Sequence, residues 1–226
     1  KKLQTLQIEA KGRFDYVTEA DLAAQKAIVS TIRSRHPDHE VLAEEDTKIP
    51  GQNVSRWLVD PLDGTTNFIH GFPVFAVSVA LEHRNSIVLV TVYDPCRNEL
   101  FLAQKGKGAS INGRPIQVSS RRKRNEALVA TAFPWRERSL LSQYLQAFTR
   151  VFTKVSDIRR GGSAALDLAY VACGRCAGFW ELGLSPWDIA AGHLLVHEAG
   201  GLISDFSGGD NHIWIGDVVA GNPAIH

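Results

Sequence analysis

The chain has 226 residues, with 25 Lys and Arg against 24 Asp and Glu, 44% hydrophobic and 22% charged. That composition excludes the disordered, collagenous and disulfide-scaffold classes, and a formal net charge of +1 gives no general attraction for nucleic acid or membrane. No apolar run approaches the ~20 residues of a membrane span, and an odd set of three cysteines, Cys96, Cys173 and Cys176, suits a reducing cytoplasm.

In chain order, the first strong element is a helix from Thr18 to about Arg35, with Leu22, Ile28, Val29 and Ile32 on one arc and His36-Pro37 ending it. Val41-Leu42-Ala43 reads as a short strand stopped by Glu44-Glu45, and Trp57-Leu58-Val59 as another halted at Asp60. Val74 to Glu82 and Ile87 to Tyr93 read as paired strands joined across His83-Arg84-Asn85-Ser86. Strands at Glu99–Ala103 and Ile116–Val118 flank turns at Lys105-Gly106-Lys107-Gly108 and Asn112-Gly113. Helices follow at about Leu140–Thr153 and Ser163–Cys173, then a strand at Gly178–Leu182 and a helix at about Trp187–Glu198. Strands near Leu202–Ser204 and Val218–Ala220 complete the series.

No repeat or flexible linker divides the chain, so the expectation is a single mixed α/β (α+β) domain with stacked layers. Its β-rich part spans about residues 1–134 and its alternating part about 135–226. The absence of any Met and the start on Lys1-Lys2 read as a portion of a longer protein, for which an intact mass other than 24.8 kDa is expected. A signal-peptide pattern is not seen.

The most informative stretch runs from Trp57 to Asn67. An apolar strand delivers Asp60 and Asp63 onto a turn constrained by Pro61 and Gly64. Two such acids raise each other's pKa unless a cation neutralises them. Gly64-Thr65-Thr66 supplies small residues at a helix start, where an anion is favoured. Metal-binding acids beside an N–H cradle point to phosphoryl chemistry; the bland alternative is a capped turn with solvated acids. Glu44-Glu45, Asp21 and Asp188 hold similar positions at element ends, although Thr18-x-x-Asp21 also fits a capping box and Asp188 a helix-dipole partner.

Together these motifs resemble the inositol monophosphatase family, within the lithium-sensitive, magnesium-dependent phosphatase superfamily. The resemblance is carried by Asp15-Tyr16-Val17-Thr18-Glu19-Ala20-Asp21, Ala43-Glu44-Glu45, Asp60-Pro61-Leu62-Asp63-Gly64-Thr65-Thr66-Asn67-Phe68 and Pro186-Trp187-Asp188. Gly161-Gly162-Ser163-Ala164-Ala165 and Glu198-Ala199-Gly200-Gly201 also fit, and Tyr93-Asp94-Pro95 with Arg97-Asn98-Glu99-Leu100-Phe101 is similar to the bacterial branch. Ala43 stands where many relatives have Gly, and the family's terminal helices look truncated or absent.

The resemblance implies a layered αβαβα sandwich of the sugar-phosphatase type. It also implies a Mg²⁺-dependent phosphomonoesterase acting on myo-inositol monophosphate by direct attack of a metal-activated water. Two to three Mg²⁺, inhibition by Li⁺, a homodimer and a cytoplasmic location come with it. By position, Glu44, Asp60 and the Leu62 carbonyl would hold one Mg²⁺, and Asp60, Asp63 and Asp188 a second, with Glu45 in support. Catalysis would fall to Thr65 and Asp21, which orient and deprotonate the water, together with Glu44. The implied substrate-binding set is Asp63, Gly64, Thr65, Gly162, Ser163, Ala164, Glu181 and Asp188. Within it, the Gly64 and Thr65 N–H groups grip the phosphate, while Gly162 to Ala164 and Glu181 recognise the alcohol. Lys11 is assigned to a loop over a third-metal region.

Sugar bisphosphatase and nucleotide 3′-phosphatase readings share this metal core. A covalent aspartyl phosphatase does not align, because the spacing here is Asp-x-x-Asp. A second class is an accessory protein of ribosomal RNA transcription and antitermination, with a partner in the transcription machinery; no direct nucleic-acid contact or membrane is expected. Cys173-x-x-Cys176 reads as two buried small residues. His193 and His197 lack the Glu a zinc-protease helix needs. Arg121-Arg122-Lys123-Arg124 reads as a solvated connector, and Trp135, Trp180, Trp187 and Trp214 as core.

Overall fold

The structure, a computed structural model, describes residues 8–12, 15–45, 47–134 and 137–226, with backbone alone at 11, 12 and 15. A two-stranded ribbon, β1 (Ile8–Gly12) and β2 (Asp15–Thr18), leads into α1 (Glu19–Arg35). The first large sheet contains β3 (Glu40–Ala43), β4 (Thr47–Ile49), β5 (Ser55–Asp63) and β6 (Ala76–His83). It continues with β7 (Ser86–Asp94), β8 (Glu99–Gln104), β9 (Gly108–Ile111) and β10 (Arg114–Pro115). Its strand order is β10-β9-β8-β7-β6-β5-β3-β4, and the short α2 (Thr65–Ile69) follows β5.

The second sheet contains β11 (Leu128–Thr131), β12 (Asp157–Arg159), β13 (Gly178–Glu181), β14 (Leu202–Ser204) and β15 (Val218–Gly221), in the order β12-β11-β13-β15-β14. Between these strands come α3 (Leu141–Phe152), α4 (Ala164–Ala172), α5 (Pro186–Glu198) and α6 (His212–Ile215). The change of sheet falls before Leu128, earlier than the division expected at about residue 134.

Five layers result. α1 covers one face of the eight-stranded sheet through Ile32, Val41 and Val59. α4 and α5 fill the space between the sheets, packing on Leu58, Val90, Val92 and Phe101 on one side and Phe179, Val218 and Ala220 on the other. α3 closes the far face, where Tyr144 meets Val129 and Trp180. This is the expected αβαβα sandwich. The two middle helices are apolar all round because both faces are buried. They also approach closely, since a Cβ added at Gly192 of α5 would sit 2.4 Å from Leu168 Cβ of α4.

Several sequence expectations are corrected. Leu22 is 50% exposed, and the inner face of α1 carries Asp21, Gln25 and Ile32 instead. Ile116–Val118 is not a strand; the partner of β8 is β9, on the other side of the Asn112-Gly113 turn. β4, β11 and β12 are short strands that the apolar pattern does not announce. The turn between β6 and β7 is as expected, with Arg84 and Asn85 both at positive φ as a two-residue hairpin requires.

Candidate active site

β5 places the central acids. Pro61 has no N–H to give the sheet, and the β5–β6 register shifts between Asp60 and Asp63. The resulting bulge re-aims the side chains at the strand's end. The Leu62 N–H donates to Asp60 Oδ1 at 2.9 Å. Gly64 then adopts φ 94°, and a Cβ there would meet Val74 O at 2.9 Å, so both conformation and space call for glycine.

Other elements bring their acids to this point. Asp21, 0% exposed, offers Oδ2 to the Thr18 N–H and hydroxyl, while its Oδ1 lies 3.1 Å from Thr65 Oγ1. Thr65 Oγ1 is also 3.0 Å from the Leu62 carbonyl oxygen. The Glu44-Glu45 corner is held from α1, because Gln25 donates to Glu45 O and Thr47 Oγ1 and accepts from the Glu45 N–H. Asp188 begins α5 in a capping box, its Oδ2 accepting from the Ser185 N–H at 2.8 Å. The Trp187 carbonyl, one residue earlier, accepts from Ser78 Oγ of β6.

Among the described residues, Asp60, Asp63 and Asp188 form a group able to hold a metal, their oxygens all within 4.8 Å of one another. Burial drives the Asp60 pKa well above the usual carboxylate range, reinforced by the charges of Glu44, Asp63 and Asp188. Burial and Asp188 push Asp63 up to about 7, against the opposing effect of its hydrogen bonds from Ser163 Oγ (2.6 Å) and Ala165 N (2.8 Å). Clustered, desolvated carboxylates of this kind are at ease only with protons or a cation between them.

The other wall comes from the second sheet. Ser163 caps α4 through the Leu166 N–H, so its hydroxyl serves both the helix and Asp63. Asn67 Nδ2 donates to Val74 O at 2.7 Å and Gly161 O at 3.0 Å, tying the β5 turn to the loop before α4. Glu181, at the end of β13, is buried with Oε2 unpartnered, and burial followed by Asp167 and Asp188 raises its pKa strongly. These groups line one cavity of about 380 Å³ that includes Glu44, Asp60, Leu62, Asp63, Gly64, Thr65, Gly162, Ser163, Ala164, Glu181 and Asp188.

Of the candidate residues described, all but Asp21 and Glu45 line the cavity; Asp21 sits directly behind Thr65, and Glu45 is held by Gln25 at the corner beyond Glu44. The Lys11 side chain and Trp135 lie outside the described residues. Gln25, Asn67, Ser78 and Arg160 are site residues that sequence reasoning missed. Asn67 alone was inside a quoted motif, and the other three give no local signal. Trp214 is not core: it is 47% exposed with the Arg56 guanidinium over its ring. Cys176 is buried, Cys173 half-buried and Cys96 exposed. His193 pairs with His212 across α5 and α6 at 2.8 Å.

The model of the inositol monophosphatase family matches residues 1–226. The chain belongs to the inositol monophosphatase family. It is 48% identical over 216 residues to the Nus factor SuhB of Escherichia coli K12, covering 95% of this chain and 81% of that one. To the inositol-1-monophosphatase of Mesorhizobium japonicum it is 46% identical over 225 residues, covering 99% and 85%. Among solved structures, the extragenic suppressor protein suhB of Bartonella henselae superposes with a TM-score of 0.96 at 46% identity, covering 99% and 86%. An IMPase/NADP phosphatase solved with Mg²⁺ and phosphate matches with a TM-score of 0.86 at 25% identity, covering 99% and 84%. As an inositol monophosphatase family member, the chain presents an all-oxygen, acidic donor set with no nearby thiol. That chemistry fits a hard divalent cation of the Mg²⁺ type. No helix among the described residues is long and apolar enough to cross a membrane.

Proposed function

We propose that the protein is a Mg²⁺-dependent phosphomonoesterase that hydrolyses myo-inositol monophosphate to inositol and phosphate. The observation that carries this reading is the meeting of Asp60, Asp63 and Asp188 within 4.8 Å beside the Gly64-Thr65 turn. Mg²⁺ ions held by Glu44, Asp60, Asp63, Asp188 and the Leu62 carbonyl would offset the carboxylate repulsion, polarise the phosphate and acidify water.

The chain's own groups do the remainder. Asp21 Oδ2 is committed to Thr18, so Oδ1 is the oxygen that takes the Thr65 hydroxyl proton. Thr65 Oγ1 can then accept a proton from the attacking water, which makes the pair a short relay. Backbone N–H groups at Gly64 and Thr65 hold the phosphate. Ser163 and Ala165 fix Asp63 in place through Oδ2. Glu181, together with the backbone from Gly162 to Ala164, hydrogen-bonds the polyol hydroxyls, its unpartnered Oε2 being the free acceptor. Glu45 braces Glu44.

The test is phosphate release from myo-inositol 1-phosphate with and without Mg²⁺, for the wild type and Asp63→Asn. Turnover should require Mg²⁺, fall about 100-fold or more in the variant, as expected for loss of several kcal/mol of charge stabilisation, and be inhibited by millimolar Li⁺. Turnover that ignores both Mg²⁺ and the substitution refutes the reading; faster release from fructose 1,6-bisphosphate or adenosine 3′,5′-bisphosphate would rename the substrate. On this reading the enzyme works as a cytoplasmic homodimer. The relative named as a Nus factor supports a second role, binding a protein of the transcription machinery. Partners retained by Asp63→Asn in a pull-down would establish that role apart from turnover.

A further inference from the structure

His193 and His197 stand one turn apart on α5, as neighbours on the helix surface, and α6 brings a third imidazole to them. Nδ1 of His193 and Nε2 of His212 lie 2.8 Å apart, with ring centres at 5.0 Å. The His197 ring stacks on that of His193 with centres 6.4 Å apart. The three run from interior to solvent: His212 is 1% exposed, His193 half-buried and His197 exposed. Two of them sit on rigid elements. α5 is packed between the two sheets. Ahead of α6, Asp205 Oδ1 accepts from the Ser207 and Gly209 N–H groups, which pins the turn leading to His212. His197 is held loosely, its Nδ1 3.9 Å from Glu198 Oε1, an oxygen that already accepts from the Gly106 N–H.

A structural pair of histidines would account for one nitrogen on each buried ring. It leaves His212 Nδ1, which is buried without a hydrogen-bond partner. Burying that nitrogen carries a desolvation cost that the contact with His193 does not offset, whereas a metal bond to the same ring would. The rings are also in the right form. Burial, then His212, His197 and Lys105, push the His193 pKa down to about 4, and burial lowers that of His212 against the charges of Asp205 and Asp210. Both are neutral at pH 7, the state in which imidazole ligates a metal. The Lys105 ammonium is turned aside to Ser86 Oγ at 2.6 Å, while Asp205 and Asp210 put negative field on the His212 side. Nitrogen donors select Zn²⁺, Ni²⁺ or Cu²⁺ and do not suit Mg²⁺.

We propose that His193, His197 and His212 form a second metal site, for Zn²⁺, where α5 meets α6. The proton held between His193 and His212 passes to the far nitrogen of the ring that carries it, which frees both facing lone pairs. His193 Nδ1 and His212 Nε2 then open to roughly 3.3 Å, as two tetrahedral ligands ~2.0–2.1 Å from zinc require. His197 turns in as the third ligand from the solvent side, and water completes the four. The bound ion clamps α6 onto α5. The site is independent of the phosphatase reading, because it shares no residue with the carboxylate cluster.

The test is calorimetric titration of the untagged protein with Zn²⁺ in saturating Mg²⁺, for wild type, His193→Gln, His197→Gln and Asp63→Asn. One equivalent of zinc binding should be common to wild type and Asp63→Asn. In each histidine variant it should weaken at least about tenfold, since even the loss of an outer-shell partner costs about 10–100-fold. His197 is exposed, so its replacement leaves the fold intact and decides the matter if His193→Gln does not fold. Cu²⁺ in place of Zn²⁺ adds a readout of the donor atoms: nitrogen splitting in its paramagnetic resonance spectrum should diminish in His197→Gln. Zinc binding that is absent from wild type, that is unchanged by His197→Gln, or that disappears in Asp63→Asn overturns the site. A copper spectrum showing oxygen donors alone does the same.

Discussion

At Asp21 the two carboxylate oxygens serve different partners. Oδ2 caps α1 through Thr18, and Oδ1 faces Thr65. The capping box was legible in the sequence because its members are three residues apart. The bond to Thr65 was not, because 44 positions separate the pair and only the resemblance linked them. The two tasks can be taken apart by substitution. Thr18→Ala removes the capping hydroxyl and should cost about 1 kcal/mol, lowering the melting temperature by roughly 2–4 °C while kcat is kept. Thr65→Val removes the relay and should lower kcat by about 10²–10⁴-fold with the melting temperature nearly unchanged. If Thr65→Val retains full kcat, Thr65 is not on the proton path. Asp60 and Asp63 were legible because an apolar strand ends on both of them, and Glu44 because it stops another; Asp188, which also caps α5, stood out only through the resemblance of the whole motif set.

Among the elements, β6, β7 and α5 carry marks that the sequence shows plainly. β6 and β7 alternate buried and part-exposed positions, and α5 is marked by Pro186 and a capping box. α1 misled because its inner face is polar at Gln25, which is there to hold the Glu45 corner. β11 and β12 escaped because parallel strands of four and three residues, the first largely buried and the second at the sheet edge, are too short to show a period. The α4–α5 crossing depends on Gly192. Gly192→Ala improves helix propensity by about 1 kcal/mol, but overpacking costs about 1–3 kcal/mol, and a 2.4 Å approach to Leu168 Cβ belongs at the severe end. The variant should melt several degrees lower; an unchanged or raised melting temperature would show that α4 moves aside freely.

The α5–α6 contact carries a pH dependence. Burial, then the neighbouring His212, His197 and Lys105, push His193 down to about 4. The unfolded chain, titrating near 6.5, therefore binds more protons between those values. The contribution of His193 is complete above about pH 6.5 and is lost as pH falls toward 4. Urea unfolding should show wild type losing about 2 kcal/mol more than His193→Gln between pH 7 and pH 5; equal losses would show that the pair does not titrate in this way.

For the whole molecule, stacked layers were legible because helices and strands alternate in the last third of the chain, while their order came from the family resemblance. The seating of α4 and α5 between two sheets could not be read from either helix alone, since an apolar helix does not say which sheet it meets. That seating makes the Asp60–Asp63–Asp188 group a bridge between distant parts of the chain: Asp63 ends a strand of the first sheet, and Asp188 lies 125 positions later at the head of α5 (188 − 63). A chain that has formed only one sheet has only part of the ligand set. Mg²⁺ therefore has little to hold until nearly all the long-range contacts are made, and it should leave the rate of refolding almost untouched. Its whole stabilising effect should fall on the unfolding limb of the chevron, slowing loss of the native state tenfold for each ~1.4 kcal/mol of binding. In a cell, Mg²⁺ would then set how long a finished molecule lasts, while the speed at which new ones are made is left to the chain.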